Sequence, residues 1–526
     1  MLPNEKWLCP RLPAVVCAAA ALTIAAPAPA QTSQLWGDAG ERFDPTGRLM
    51  EWCYAGYHAA EAPIPDLSPT VSVTDHGAVA NDSSNDTAAF AAAIDAASGG
   101  GVVSVPAGRF IIRDKLTLTD GVVLQGAGRG VTILDIPLSL TDVYGNPGLD
   151  GGGTSTYSFG QAFIEVRGSY PNTVLADVTT NALRGDLQIE VSATDQLAVG
   201  QWIRIVQTDV GGDLMDRLHS DLMEAGPDTY GDRGMHFHTR VTAISGTTVS
   251  IDRHLPVDID TAWSPEVLEF DPNRSEIGVE HLTIEFPLTS YPGHFDEQGY
   301  NAIDFFRAVN SWVRDVEILN GDYGVNVRNS FFVTVQDVIL DTTGDRGSIV
   351  GHHGLNNGHG GDNLFVDFDI RTTFQHDLTN EWYATGIVFS RGRGDNLRMD
   401  HHCAAPYQTL WTELDTGLGT TPFVSGGRSD RCPHTASYDT LWNIRAAADM
   451  DLPADDYGPR MNFVGFQTAA TTASSPYDWW FEDIEPGALQ PANLWEAMCE
   501  RRFPSSAGGG GAGVGGGAAG TGGSGG

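Results

Sequence analysis

Residues 71–134 read VSVTDHGAVANDSSNDTAAFAAAIDAASGGGVVSVPAGRFIIRDKLTLTDGVVLQGAGRGVTIL. Val71-Ser72-Val73 alternates like a short strand. Asn81 to Asp86 is a polar turn, and Asp86 or Thr87 is placed to cap a helix over the alanine-rich run that ends at Ala97. Gly99-Gly100-Gly101 stops that helix. Three short apolar strands then follow at Val102–Val105, Leu116–Leu118 and Val122–Gln125, divided by glycine turns. Further along, one strand pattern repeats, starting at Val279, Val313, Val335 and Phe365, with intervals of 34, 22 and 30 residues. Stacked strands joined by turns of uneven length make a solenoid.

The segments VSVTDHGAVANDSSNDTAAFAAAIDAA (71–97), GGGVVSVPAGRFII (99–112) and LTLTDGVVLQGAGRGVTIL (116–134) resemble the start of the rhamnogalacturonase/epimerase-like pectate lyase domain. That family belongs to the pectin-lyase-like superfamily. The resemblance implies an all-β chain, a right-handed parallel β-helix with one N-terminal capping helix, acting on polysaccharide. Gly126 to Gly130 lacks the spacing and the following helix of a nucleotide loop.

The 526 residues carry 30 basic and 67 acidic side chains, a formal charge of −37. Such a chain repels nucleic acid and anionic membranes, which bind through basic patches. Residues 1–30 have the layout of a signal peptide: Lys6 and Arg11, an apolar run from Leu12 to Ile24, then Ala28-Pro29-Ala30. No later segment is long enough for a transmembrane helix. An extension (31–70) leads into the β-helix body (71–505), which is interrupted by a β-rich insertion over about 187–255. Residues 506–526, rich in glycine, read as a disordered linker. An exported chain keeps Cys53, Cys403, Cys432 and Cys499, which allow three pairings; Cys403–Cys432 with Cys53–Cys499 is the favoured one.

Six of the 15 histidines lie between His352 and His402. A 24-residue spacing relates His353, Asp377 and His401, and also His352, His376 and Asp400, Tyr383 and Tyr407, and Arg391 and Asp415. A coil of that length would stack them on neighbouring rungs, although the run Gly361–Leu364 recurs at Gly394–Leu397, 33 residues on. In an extended segment Asp400 and His402 share a face, as do Glu413 and Asp415. The expected catalytic residues are Glu381, Asp400, His402, His376 and Asp377. The expected substrate contacts are His352, His353, Arg391, Arg393, Trp382, Tyr383, Tyr407, Glu413 and Asp415.

Hydrolysis of a glycosidic bond needs two carboxyl groups, one protonated and one ionised. The segment has several, whereas the only lysines are Lys6 and Lys115. Hydrolysis with Glu381 and Asp400 as acid and base is therefore preferred. The alternatives are β-elimination on a uronic-acid glycan, using His402, Arg391, Arg393 or Tyr407, and a non-catalytic surface β-helix that binds glycan. No cofactor is required on this reading. Calcium is possible, without a D-x-D-x-D-G loop to mark it. Zinc on His352, His376 and His402 is not expected, because their spacing matches no ligand motif.

Overall fold

Each long strand of the repeat bends at one left-handed residue. Gly278–Glu285, Trp312–Leu319 and Thr334–Asp341 turn at His281, Asp315 and Asp337, with φ of 59°, 54° and 52°. Asp367, Arg391, Glu413, Asn443 and Gly465 hold the same place on later rungs, all at positive φ. Asp and Asn tolerate this conformation better than other residues with a side chain. The stacked bends form a corner running along the molecule. Either side of it, Val279, Leu282 and Ile284 pair with Val313, Val316 and Ile318, and these with Val335, Val338 and Leu340. All are buried in one continuous core.

The computed structural model describes residues 29–209, 213–224, 234–424, 426–427, 432–454 and 456–504. The expected signal peptide, except for its last two residues, and the expected glycine-rich linker lie outside them. The chain coils as a right-handed parallel β-helix, the hand that strand twist imposes on parallel crossovers. Its long sheet runs from Val71–Ser72 to Trp480–Glu482. A second parallel sheet of seven strands joins Leu116–Leu118, Ile164–Arg167, Asn301–Phe306, Tyr323–Arg328, His353–Gly358, His376–Glu381 and Met399–His401.

The register corrects the 24-residue ladder. In the seven-stranded sheet His353 pairs with His376, and Thr379 with Asp400, so Asp377 and His401 do not stack below His353. The 24-residue interval belongs to the long sheet, where Asp369 pairs with Arg393, and it is lost one rung later, where Arg393 pairs with Asp415. Gly361–Leu364 and Gly394–Leu397 are likewise out of register, since Leu364 pairs with Val388 and Gly394 with Ile370. Parallel stacking fixes strand positions only, and the turns between them absorb any number of residues.

The helix Thr87–Ala96 lays Ala89, Phe90, Ala93 and Ile94 over the end of the core. Asp86 does not cap it. Its carboxylate accepts instead from the backbone N–H of Val79 (3.0 Å) and Ile111 (3.0 Å). A second sizeable helix, Leu494–Arg502, is capped by Asn493, whose side chain accepts from Glu496 N–H at 3.1 Å. With the extension it covers the outside of the long sheet: Trp36, Trp52 and Met498 pack on Leu364, Val388, Leu410 and Trp442. Gln31–Thr32 pairs with Leu489–Gln490, and Cys53–Cys499 ties the ends. The β-rich insertion is a six-stranded antiparallel sheet running from Val174–Asp177 to Glu266–Glu269, which extends beyond 187–255 on both sides. Its own core includes Ile203, Ile205, Val249 and Val267, and it meets the solenoid at Ala405, Tyr407 and Ala436.

Cys403–Cys432 closes a loop with a sequence separation of 29. Loop-closure entropy gives it about 3–4 kcal/mol. The double variant Cys403→Ser/Cys432→Ser should unfold at lower denaturant than the parent, with an unchanged β-type circular dichroism spectrum. An equal midpoint would contradict the bond's contribution.

Candidate active site on the outer face of the seven-stranded sheet

Strand alternation sorts this sheet into an apolar inside and a polar outside. Ile303, Val325, Leu355, Leu378 and Met399 enter the core. His401 also faces inward, against Trp411 (4.9 Å between ring centroids) and beside Asp439 (3.1 Å). The outward ladder in register is Glu165, Asp304, Asn326, Asn356, Thr379 and Asp400. Two residues further along the strands come Phe306, Arg328, Gly358 and Glu381. At the start of the strands the His353 ring lies between Tyr323 (4.8 Å) and His376 (4.7 Å), and its Nδ1 is 2.9 Å from Thr379 Oγ1.

His376 Nδ1 lies 2.8 Å from Asp400 Oδ2, and the other oxygen of Asp400 accepts from Gly426 N–H at 2.7 Å. Glu381 accepts from Asn356 Nδ2 at 3.5 Å, and its second oxygen is 3.7 Å from His402 Nδ1. Strands spaced about 4.8 Å apart with a rise of about 3.3 Å per residue put Glu381 and Asp400, two positions apart on adjacent strands, about 8 Å apart at their α-carbons. Their environments push in opposite directions. Burial raises the Glu381 carboxyl above its ordinary value. Burial also acts on Asp400, but His376, His402 and the Gly426 N–H outweigh it, and its carboxyl falls below the ordinary value.

The loop at residues 291–300 adds His294, whose Nε2 is 3.0 Å from His352 Nε2. Glu297 Oε1 lies 3.4 Å from His352 Nδ1 and accepts from Tyr291 Oη at 2.7 Å; the other carboxylate oxygen of Glu297 takes the Ser158 hydroxyl. Burial, reinforced by the neighbouring imidazoles, lowers His294 to about 4 and holds His352 and His353 well below their ordinary value.

Aromatic rims flank the polar strip. Phe159 and Phe295, 59% and 39% exposed, stand beside His352 and His294. At the other edge Trp382 and Tyr383, both left-handed, turn the chain after Glu381. They line a cavity of about 360 Å³ with Tyr170, His236, Asn329 and His359, and Trp382 stacks on His359 at 4.8 Å. His236 comes from the insertion, which walls this side.

The structure therefore gathers Glu381, Asp400, His402, His376, His352 and His353 on one face, with Trp382 and Tyr383 at its edge. The remaining expected residues lie elsewhere. Asp377 is turned off the face: its carboxylate clamps a turn, accepting from Phe374 N–H (2.7 Å) and Arg398 N–H (3.0 Å), and burial pushes it up to about 7. Arg391, Arg393, Glu413 and Asp415 line a separate cavity of about 350 Å³ on the long sheet. There Arg391 bonds Asp367 at 2.7 and 2.8 Å, and Arg393 bonds Asp369 at 2.7 Å. Tyr407 is buried in the contact between solenoid and insertion. Sequence reasoning missed His294, Phe295, Glu297, Phe159 and Tyr323. The aromatic and histidine content of YPGHFDEQGY (291–300) was the available signal.

Fold and face together define a right-handed parallel β-helix with a buried histidine–carboxylate cluster. Residues 70–164 match the family model of rhamnogalacturonase A/epimerase, pectate lyase-like proteins. Over 110 residues the chain is 34% identical to mannuronan C5-epimerase AlgE3 of Azotobacter vinelandii, covering 19% of this chain and 6% of that protein. Over 116 residues it is 34% identical to AlgE6 of the same organism, covering 20% of this chain and 13% of that protein. Among solved structures, the tailspike protein gp49 from Pseudomonas phage LKA1 superposes with a TM-score of 0.47 at 13% identity, over 75% of this chain and 70% of that one. No helix among the described residues is long and apolar enough to cross a membrane.

Proposed function

We propose that this protein is an exported enzyme that hydrolyses a polysaccharide, with the outer face of the seven-stranded sheet as its active site. The observation that carries the reading is the pair Glu381 and Asp400, two carboxyl groups on one face. Glu381, whose carboxyl burial raises above its ordinary value, gives its proton to the leaving glycosidic oxygen. Asp400 is fully buried and reaches the substrate side through His402, which takes the proton of the attacking water. The rims at Phe159/Phe295 and Trp382/His359 offer ring faces to the sugars.

The alternative of elimination draws less support from this face. Of its candidate bases, Arg391 and Arg393 belong to the other cavity and Tyr407 is buried, which leaves His402 as the one on this face. Arg167 and Arg328, which could neutralise a uronate, are both engaged by Asp304 at 2.8 and 2.7 Å. Lys115 is held near Glu165 (3.4 Å), five strand spacings from Asp400, or about 24 Å. Product analysis on a glycan panel tests the reading. Saturated reducing ends are expected; products with a C4–C5 double bond absorbing in the near ultraviolet would overturn it. Because the acid form of Glu381 is the working one, turnover should fall on the alkaline side of its optimum.

Gly426 makes a sharper test of the geometry. A Cβ there would lie 2.5 Å from His376 Cε1 and 2.6 Å from His402 Cδ2. Gly426→Ala must therefore displace the imidazoles or lift its own N–H from Asp400. Turnover should drop roughly 10–100-fold, the scale of a misplaced catalytic group, with little change in melting temperature. Parental turnover in this variant would argue against His402 and Asp400 as the working base.

A further inference from the structure

We propose that His294, His352 and His376 bind a transition-metal cation, zinc foremost, through one imidazole nitrogen each. The proposal does not rest on the hydrolytic reading, because binding is measured without turnover. One ring nitrogen of each residue lies within 4.8 Å of the other two. The 3.0 Å between Nε2 of His294 and Nε2 of His352 is close to the edge of a tetrahedron, about 3.3 Å, whose centre is a zinc ion about 2.0 Å from each nitrogen.

The surroundings fit ligation. A metal-bound histidine usually turns its second nitrogen to a carboxylate. Here His352 Nδ1 has Glu297 Oε1 at 3.4 Å, and His376 Nδ1 has Asp400 Oδ2 at 2.8 Å. Both Nδ1 atoms are buried without an in-line hydrogen bond. Glu297 is itself fixed by Tyr291, Ser158 and the N–H of Phe295. His352 and His376 sit on adjacent rungs of a rigid sheet, and the His294 ring is stacked on Phe295 at 3.7 Å. Three nitrogen donors suit zinc, copper or nickel and not calcium, which takes oxygen ligands. Three protein ligands also leave a fourth position for water or substrate, on the side where His294 is exposed.

A second set, His376, Asp400 and His402, satisfies the same distance limit. It is the poorer site, because Asp400 Oδ1 is already committed to Gly426 N–H and Oδ2 lies only 2.8 Å from His376 Nδ1. Cys403, Cys432 and His434 also cluster, but both sulfurs are spent in the disulfide.

The test is calorimetric titration of the purified, chelator-stripped chain with zinc sulfate at neutral pH. One equivalent should bind, saturating stoichiometrically at micromolar protein. His294→Ala, on an exposed loop and checked for its fold by circular dichroism, should weaken binding at least roughly 100-fold. Glu297→Gln should weaken it roughly 10–100-fold. Cobalt added in place of zinc should give the strong visible bands of a four-coordinate site. Absence of stoichiometric zinc binding by the parent chain would mean that the 3.0 Å contact is an imidazole–imidazole hydrogen bond only, and would overturn the proposal. So would undiminished binding by His294→Ala together with loss in His402→Gln, which would place the ion on the second set.

Discussion

Glu381→Gln and Asp400→Asn should each lower turnover by roughly 10²–10⁴-fold, the usual worth of a general acid or base. The two variants should differ otherwise. Glutamine keeps the shape of Glu381 and can still accept from Asn356, so the fold should be indifferent to the change. The alkaline limb of the pH profile should vanish from what activity remains, because the group that loses its proton there has gone. Asparagine in place of Asp400 keeps an oxygen for the Gly426 N–H but loses the charge facing His376. This variant should show a lowered melting temperature as well as lowered turnover. Parental rates in both variants, with intact folds, would remove the acid–base pair and leave the face as a glycan-binding surface.

Trp411→Ala should cost about 3–5 kcal/mol, as large aromatic truncations in a packed core do. Phe365, Phe389 and Trp411 occupy one register position on three successive rungs, and all are fully buried. Their rings stack with centroids 4.8 and 4.5 Å apart and interplanar angles of 18° and 8°. His401 also rests on Trp411, so the void left by alanine reaches the strand that carries Asp400. Trp411→Phe should be far milder, because Trp411 Nε1 is buried without an acceptor and phenylalanine removes that donor. Urea unfolding of the two variants checks both expectations. A Trp411→Ala midpoint equal to that of the parent would show that the ladder contributes little.

The sequence by itself determined the architecture. Glycine turns, short apolar strands and an uneven repeat describe a solenoid, and the helix over Thr87–Ala96 follows from an alanine run between a polar turn and three glycines. The even count of cysteines in the body pointed to the two disulfides that form. The sequence also placed the histidine-rich segment on the β-helix, because composition survives any choice of register.

Only the tertiary structure decided which of those residues meet. A shift of one residue in register moves every side chain of a strand to the other face. Residues 281, 315, 337, 367, 391, 413, 443 and 465 share one corner at intervals from 22 to 34, so no fixed spacing reports the stacking. Alternation alone would turn His376 inward with Leu378 and Asp377 outward with Thr379, but at the start of the strand His376 Nδ1 meets Asp400 and the Asp377 carboxylate clamps a turn. His294 lies 58 residues before His352, and only the coil's return brings its loop against the sheet. Backbone pairing in a parallel β-helix is blind to turn length, and contacts across such turns exist only once the rungs have stacked.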